Sequence, residues 1–424
     1  MMRVGIVGAG ITGLSLTHYL ARQDVDVVTV ESSSQPGGAI RSSRVDGRLL
    51  EFGPQRIRLT PEIRGFIDEL DLNDELLVAD DTLPLYVYVR GELREVPRTL
   101  RGFIETDILT WRGKLRLFAE PLTAPASETE RAGRIFQRKF GYEAYRNIIE
   151  PLFGGIYGSD PAVMPAKYSL ARLIDLEKRS GSFMCMGLKR LAGSTETPSP
   201  ISFVDGIQML PRALYRAHEP YVHLDTPVDS ISDTGRDGYV METGSRSIEV
   251  DHVVLTTPPA VTAAVLDGVD GATISPLRRL TYNSLALVYL HASTDVDGYG
   301  YQVRRDEPLE TLGVTWNDSL FDRDGVYTAF LGGMHDPGVV DRPDDELANV
   351  ARTEFETVMG TDANVIAVRK LPRAFPAHDV TWKYLESVEL PEEITLATNY
   401  TSRIGVPSRV RESKTIASQL SERD

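Results

Sequence analysis

A single cysteine, Cys185, in 424 residues excludes an internal disulfide and fits a reducing compartment. Long apolar runs are missing too. None approaches the roughly 18 residues that a membrane-spanning helix needs. No basic segment followed by an apolar core opens the chain, which argues against secretion through a cleaved signal, so the expected location is cytoplasmic. Lysine is scarce, at eight of the 46 basic residues, and 61 acidic residues bring the net charge to −15. An acidic, arginine-rich surface of this kind fits a salt-adapted source, which bears on solubility and not on chemistry. It offers no basic field to offset phosphate repulsion, so nucleic acid is excluded as a partner. There is no Cys/His cluster at metal-ligand spacing, no G-x-S-x-G elbow and no internal repeat. No metal is expected, and no acid–base pair stands out, so catalytic side chains stay unassigned.

What is present points first to size. A chain of 424 residues with 42% hydrophobic and 25% charged content is an ordinary globular composition, too long for one core and suited to two or three domains. Its organising stretch is Gly8-Ala9-Gly10-Ile11-Thr12-Gly13. An apolar run, Val4 to Val7, precedes it as a buried strand, and residues 14–20 follow with helical spacing. Strand, G-x-G-x-x-G and helix together make a dinucleotide site. Gly8 permits the tight turn, Gly10 lets a pyrophosphate touch backbone, and Gly13 lets helix and strand pack closely. The amides of Ile11, Thr12 and Gly13 then face the phosphates at the positive end of the helix dipole. Residues 25–30 read as a second strand ending at Glu31 and Ser32, about 20 residues beyond the glycines, where an acid accepts from ribose hydroxyls and repels a 2′-phosphate.

Gly37-Gly38-Ala39-Ile40-Arg41 follows closely. This glycine pair with its arginine resembles the extended fingerprint of FAD enzymes of the amine-oxidase type. Thr17 and Asp24 depart from that pattern without removing a phosphate contact. The resemblance implies that Gly53, Pro54 and Gln55 lie beside the isoalloxazine ring. It also places the Val228 backbone at the adenine, with Thr257 and Pro258 at a strand end near the cofactor. Asn399 and Val406 would stand at the C-terminal turn and helix that face the flavin and pyrophosphate.

Further along, residues 61–79 read as a helix and 85–97 as a hairpin, with helical signals from about 100 to 190. The aromatic-rich, arginine-interspersed stretch 100–122 fits either a helix pair packed on its own domain or a peripheral membrane contact. Glu150-Pro151-Leu152-Phe153-Gly154-Gly155-Ile156-Tyr157-Gly158-Ser159-Asp160-Pro161 reads as a glycine-rich loop between helices. With the helix after it, the loop resembles the protoporphyrinogen oxidase family. There Gly154, Gly155, Ile156 and Tyr157 would line a cavity for a flat ligand. The segment 201–211 resembles the family's return to its FAD domain, strands fill 281–335, a helix spans 344–359, a strand runs 365–368, and 394–400 is a last strand before a final helix.

The expected fold is therefore α/β, α+β overall: a Rossmann-type FAD-binding domain, a mixed-sheet substrate domain and an inserted helical domain. The expected partition is 1–80, 201–260 and 390–424 for FAD binding, 81–93 and 261–389 for substrate, and 94–200 for the helical domain. The resemblance implies an FAD-dependent oxidase that dehydrogenates protoporphyrinogen IX or coproporphyrinogen III, with oxygen as acceptor and a small-molecule tetrapyrrole as partner. Three departures bear on the substrate. No charge opens the strand at Pro84-Leu85-Tyr86, Pro376-Ala377-His378 replaces a P-Q-Y-like segment, and Pro407 to Ser413 alters the terminal pattern. Two other readings stand beside it. One is an amine or carotenoid-type flavin oxidoreductase, for which Lys370 is the candidate flavin-side lysine; the other is a catalytically idle FAD protein that binds tetrapyrroles. His18, His218 and His252 are expected on element surfaces, with His335 and His378 as cavity candidates.

Overall fold

The structure is a computed structural model, describing residues 2–184, 198–235, 238–244, 246–401 and 404–423. Its first layer is a parallel sheet built from β1 (Arg3–Val7), β2 (Asp26–Val30), β3 (Val222–His223), β4 (His252–Leu255) and β5 (Ile394–Leu396), in the order β3-β2-β1-β4-β5. In β1 and β2 only the first residue is exposed and the next four are buried, as both faces of a covered parallel sheet require. Register places Ile6 between Thr29 and Val254. Helix α1 (Ile11–Ala21) leaves β1 through the glycine turn. Three distant stretches of chain thus meet in one sheet.

The second layer is a seven-stranded mixed sheet in the spatial order 363–376, 282–292, 326–332, 313–316, 300–303, 85–89 and 92–95. Its pairs are antiparallel except for Gly300–Val303 beside Leu85–Val89. Side-chain alternation in the strand Tyr282–Ala292 splits its contacts cleanly. Ala286, Val288 and Leu290 pack under a helix, Asp344–Met359, through Leu347, Ala351 and Phe355. Leu285, Leu287 and Tyr289 face the opposite way, towards Leu50 and Phe52 of the hairpin Ser42–Val45 and Arg48–Glu51 and the residue after it. That second face forms a roof over the hairpin that follows the glycine pair.

Three expectations need correction. The helix starting at Pro61 ends at Glu69, not near residue 79. Asp71 turns the chain at φ 54, and Leu76–Val78 pairs as a strand with Pro200–Phe203. Pairing with a partner more than 120 residues away outweighed the local helical pattern. The glycine stretch after Glu150 is a helix over Glu150–Tyr157, ended by Gly158 in the left-handed region at φ 52. Pro151 lies in its first turn, where no N–H is needed, and Gly154 and Gly155 sit inside it. Finally, His18 and His252 are buried rather than superficial, and burial holds each imidazole down at about 4. The polar, proline-containing stretch 194–200, expected from its composition to be a loop, falls mainly outside the described residues. No helix among those residues is long and apolar enough to cross a membrane.

Candidate active site

The glycine turn leaves β1 with Gly8 at φ 106, and Thr256 Oγ1 at the end of β4 donates to the carbonyls of Val7 and Gly8. Gly13 packs so tightly on the Gly8 carbonyl that any Cβ there would overlap it. Gly10 is different. A Cβ built on it meets nothing nearer than the Gly38 Cα at 3.9 Å, so open space lies beside the turn. Gly10 is also the N-cap of α1 and no side chain caps that helix, which leaves the amides at Ile11, Thr12 and Gly13 facing that space. Gly37 donates its N–H to Ala9 and lies alongside Gly10, so the second glycine pair closes the same cradle.

At the end of β2, Glu31 is held from three sides. Its carboxylate accepts the Ala9 N–H at 2.8 Å and the Ser33 N–H at 2.9 Å, and its carbonyl accepts the Thr226 N–H at 2.8 Å. Ser32 Oγ adds a longer contact at 3.3 Å. Carboxylate oxygens have spare lone pairs for ribose hydroxyls, and Val228 opens the strand Val228–Asp233 two residues after Thr226. Arg41 directs its guanidinium to Gln35 and the Pro36 carbonyl, and burial lowers its pKa. Gly53 abuts the Ala39 carbonyl with no room for a side chain, and Gln55 folds its amide back onto the Glu51 and Gly53 carbonyls. Pro54 lies between them. Thr257 and Pro258 lead into a short helix, with Thr257 Oγ1 2.9 Å from Thr262 Oγ1. Asn399 Oδ1 accepts from Tyr282 Oη at 2.9 Å. Val406 opens the last helix, Val406–Ser421, whose N-terminus at Gly405 is likewise uncapped by any side chain.

Several residues in this region escaped sequence reasoning. Glu51 is buried, its carboxylate accepts from Ser42 Oγ and the Ile207 N–H, and its carbonyl accepts from Tyr289 Oη at 2.7 Å. Burial pushes its carboxyl pKa up. One residue therefore ties together the fingerprint hairpin, the returning segment and the roof. Ser413 Oγ donates to the Thr12 carbonyl, and buried Arg409 donates to that of Thr398, fastening the last helix to the glycine turn and to the Asn399 loop. Thr256 directly precedes the Thr257-Pro258 pair expected at the cofactor, whereas nothing local marked the partners of Glu51, Arg409 or Ser413.

The helix Glu150–Tyr157 lies against the roof where Gly155 meets Gln302. A cavity of about 450 Å³ lies between that helix and the sheet, lined among others by Glu150, Gly154, Gly155, Gly158, Arg304 and His335. A Cβ at Gly155 would overlap the Gln302 carboxamide, whereas one at Gly154 comes no nearer than 3.6 Å to the Ser159 carbonyl. Tyr157 packs edge-on to His378 at 4.9 Å, and His378 stacks on Trp382 at 4.6 Å. Burial lowers the His378 pKa to about 4 and that of His335 as well. The Ile156 side chain lies outside the described residues.

A parallel sheet, an uncapped glycine turn and an acid at the next strand end define a dinucleotide-binding fold, and the Gly10 gap beside the uncapped helix start fits a dinucleotide pyrophosphate. The chain belongs to the flavin containing amine oxidoreductases, whose family model matches residues 11–406. It is 26% identical over 416 residues to protoporphyrinogen oxidase 1, chloroplastic, of Spinacia oleracea, covering 88% of this chain and 74% of that one. It is also 26% identical over 415 residues to coproporphyrinogen III oxidase of Staphylococcus aureus, covering 89% and 88%. In fold it is similar to a crystal structure from Exiguobacterium sp. 255-15 named for protoporphyrinogen oxidase, with TM-score 0.82, 22% identity and coverage of 100% and 99%. The protein is an FAD-dependent oxidoreductase.

We propose that Glu31 holds the adenosine ribose. Losing a charge-assisted hydrogen bond costs about 1.5–3 kcal/mol, so Glu31→Ala should weaken FAD binding about 10- to 150-fold. Flavin retention through dilution and gel filtration measures this, and unchanged retention would remove the assignment.

Proposed function

We propose that this enzyme dehydrogenates a porphyrinogen, protoporphyrinogen IX or coproporphyrinogen III, to the porphyrin in successive two-electron steps within tetrapyrrole synthesis, with oxygen as the final acceptor. Bound FAD supplies the hydride acceptor for a carbon-bound hydrogen. In this reading the cofactor is held by Gly8, residues 10–13, Glu31, Ser32, Gly37, Gly38, Arg41, residues 53–55, Val228, Thr257, Pro258, Asn399 and Val406. The glycine helix and Gln302 shape the space in which a flat macrocycle is oriented. The names of the plant and bacterial relatives support the substrate class.

The placement of Lys370 is the observation that favours this reading over an amine. Lys370 is bonded to the Arg342 carbonyl and pairs with Asp344 at 2.7 Å, beside the helix on the far side of the roof. Its neighbour Arg369 instead lies over the Phe52 ring, 5.6 Å from its centroid, next to the loop containing Gly53. Consecutive strand residues face opposite ways, so Lys370 is directed away from the flavin loop. Aerobic assay against both porphyrinogens, read by porphyrin fluorescence, tests the proposal. Fluorescence rising with enzyme above autoxidation supports it, and a yellow protein inert to both overturns it.

We further propose a peripheral membrane contact through the helices Leu100–Glu105 and Trp111–Phe118. Trp111 and Leu115 are each 67% exposed and Leu122 is 90% exposed, with Leu100, Ile104 and Phe118 exposed beside them. An apolar strip of this kind next to arginines suits a headgroup boundary. The holoenzyme should sediment with anionic liposomes, and Trp111→Ser/Leu115→Ser should abolish that. Wild-type protein remaining in the supernatant at both low and high salt would refute the contact.

A further inference from the structure

Four carboxylates line the cavity beside the helix Glu150–Tyr157, and three of them have a cation against them. Asp160 pairs with Arg305, and Glu310 and Asp336 both pair with Arg342. Arg304, also in the wall, is taken by Asp306 at 2.7 Å and Glu307 at 2.6 Å. Glu150 is the exception. Among the described residues its carboxylate has no ion pair, and its one bond comes from the Tyr145 hydroxyl, which donates to Oε1 at 3.2 Å. Burial lifts its pKa; the Tyr145 hydrogen bond and the Arg305 charge oppose that, while the Asp160 and Asp306 charges add to it. Those are the groups that face it, with Arg304 and His335 further round the wall. Thr311 borders the same space at 2% exposed, and its hydroxyl has no partner among the described residues. Glu150 Oε2 and Thr311 Oγ1 are thus free to accept from a ligand that carries N–H donors.

We propose that Glu150 is the proton acceptor of the dehydrogenation, taking a pyrrole N–H proton as a bridging carbon of the substrate gives up its hydride. In the first two-electron step the C–H hydrogen leaves that carbon with its electron pair and goes to the bound flavin. An N–H bond breaks with its pair left on nitrogen, an O–H bond forms at Glu150, and the ring system gains one conjugated double bond. The proton passes to water before the next step. A carboxylate whose pKa is lifted towards the working pH is a better general base than an ordinary one. The position suits the role as well. Gly154 lies one turn after Glu150 on the same helix face and Gly158 ends the helix, so two positions without side chains adjoin the carboxylate where it lines the cavity. The proposal deepens the porphyrinogen reading and rests on it for the substrate.

The test follows anaerobic bleaching of the flavin-loaded full chain by coproporphyrinogen III and by protoporphyrinogen IX, in wild type and in Glu150→Gln. Glutamine keeps the shape and an acceptor oxygen but takes no proton. Bleaching should slow about 10²- to 10⁴-fold. Flavin content, melting temperature and affinity for coproporphyrin, read by fluorescence, should stay at wild-type values. In wild type the bleaching rate should rise with pH as Glu150 loses its proton, above the ordinary carboxylate range, and Glu150→Gln should lose that rise. Glu150→Asp keeps the acid with a shorter reach. It should fall between the two and keep the rise, and it carries the test if Glu150→Gln does not fold. Unchanged bleaching in the variant that folds, or a loss of porphyrin affinity as large as the loss of rate, overturns the proton acceptor alone. Wild-type flavin left yellow by both porphyrinogens overturns the porphyrinogen reading itself, and the role of Glu150 with it.

Discussion

Gly10→Ala and Gly13→Ala, two single-methyl changes three residues apart, should fail in different ways. At Gly10 the new Cβ has 3.9 Å of clearance from its nearest neighbour, so the fold accepts it. An alanine N-cap is poorer than glycine, at a cost of about 0.5–1 kcal/mol. The methyl does, however, occupy the gap beside the uncapped amides, where the pyrophosphate is placed. Flavin affinity should fall about 5- to 150-fold, corresponding to about 1–3 kcal/mol of steric conflict. At Gly13 the methyl meets the Gly8 carbonyl, a backbone atom that no rotamer change can move. That variant should lose melting temperature even without flavin and retain little cofactor when isolated. Calorimetry of apo and flavin-loaded samples separates the two. A Gly10→Ala protein that keeps wild-type flavin affinity would take the phosphate away from this turn.

In the helix Glu150–Tyr157, Gly155→Leu should give a folded, yellow protein whose porphyrinogen turnover falls about 5- to 150-fold. Gly155 is not among the positive-φ glycines, so a side chain there brings no backbone strain. The conflict is with the Gln302 carboxamide, the movable end of a side chain that lies against the proposed ligand space. Gly154→Ala is the control. Its Cβ reaches only to 3.6 Å from the Ser159 carbonyl, and alanine is the better helix former, so the melting temperature should hold or rise and turnover should fall far less than in Gly155→Leu. Flavin occupancy, melting temperature and turnover measured on one preparation decide the matter. Normal turnover in Gly155→Leu would remove this helix from the substrate site, and joint loss of flavin and solubility would make its role structural.

Features written in contiguous residues were legible without coordinates. The strand, glycine turn and helix over residues 3–21, the acid ending the second strand and the helix over 344–359 all depend on interactions within a few residues. Periodicity and backbone sterics act at that range, so pattern alone specifies them. The stretch after Glu150 was harder. Its glycines resemble a loop, yet they form a helix because Pro151 sits harmlessly in the first turn, Gly158 supplies the left-handed end, and small residues let the helix approach Gln302. Leu76–Val78 became a strand only because Pro200–Phe203 offered it a partner.

The tertiary structure alone decided which distant polar groups meet. Glu51 joins Ser42, Ile207 and Tyr289, Arg409 reaches Thr398, and Lys370 is turned towards Asp344 while Arg369 faces Phe52. None of these follows from local spacing, because buried polar groups take their partners from whatever the packed layers bring within hydrogen-bond reach. In the proposed cofactor site, phosphate and ribose contacts come mainly from one continuous turn and strand end, whose residues are neighbours in sequence. The proposed substrate space lies between the helix Glu150–Tyr157 and strand residues more than 140 positions further on, so its chemistry could be read only after the chain had folded.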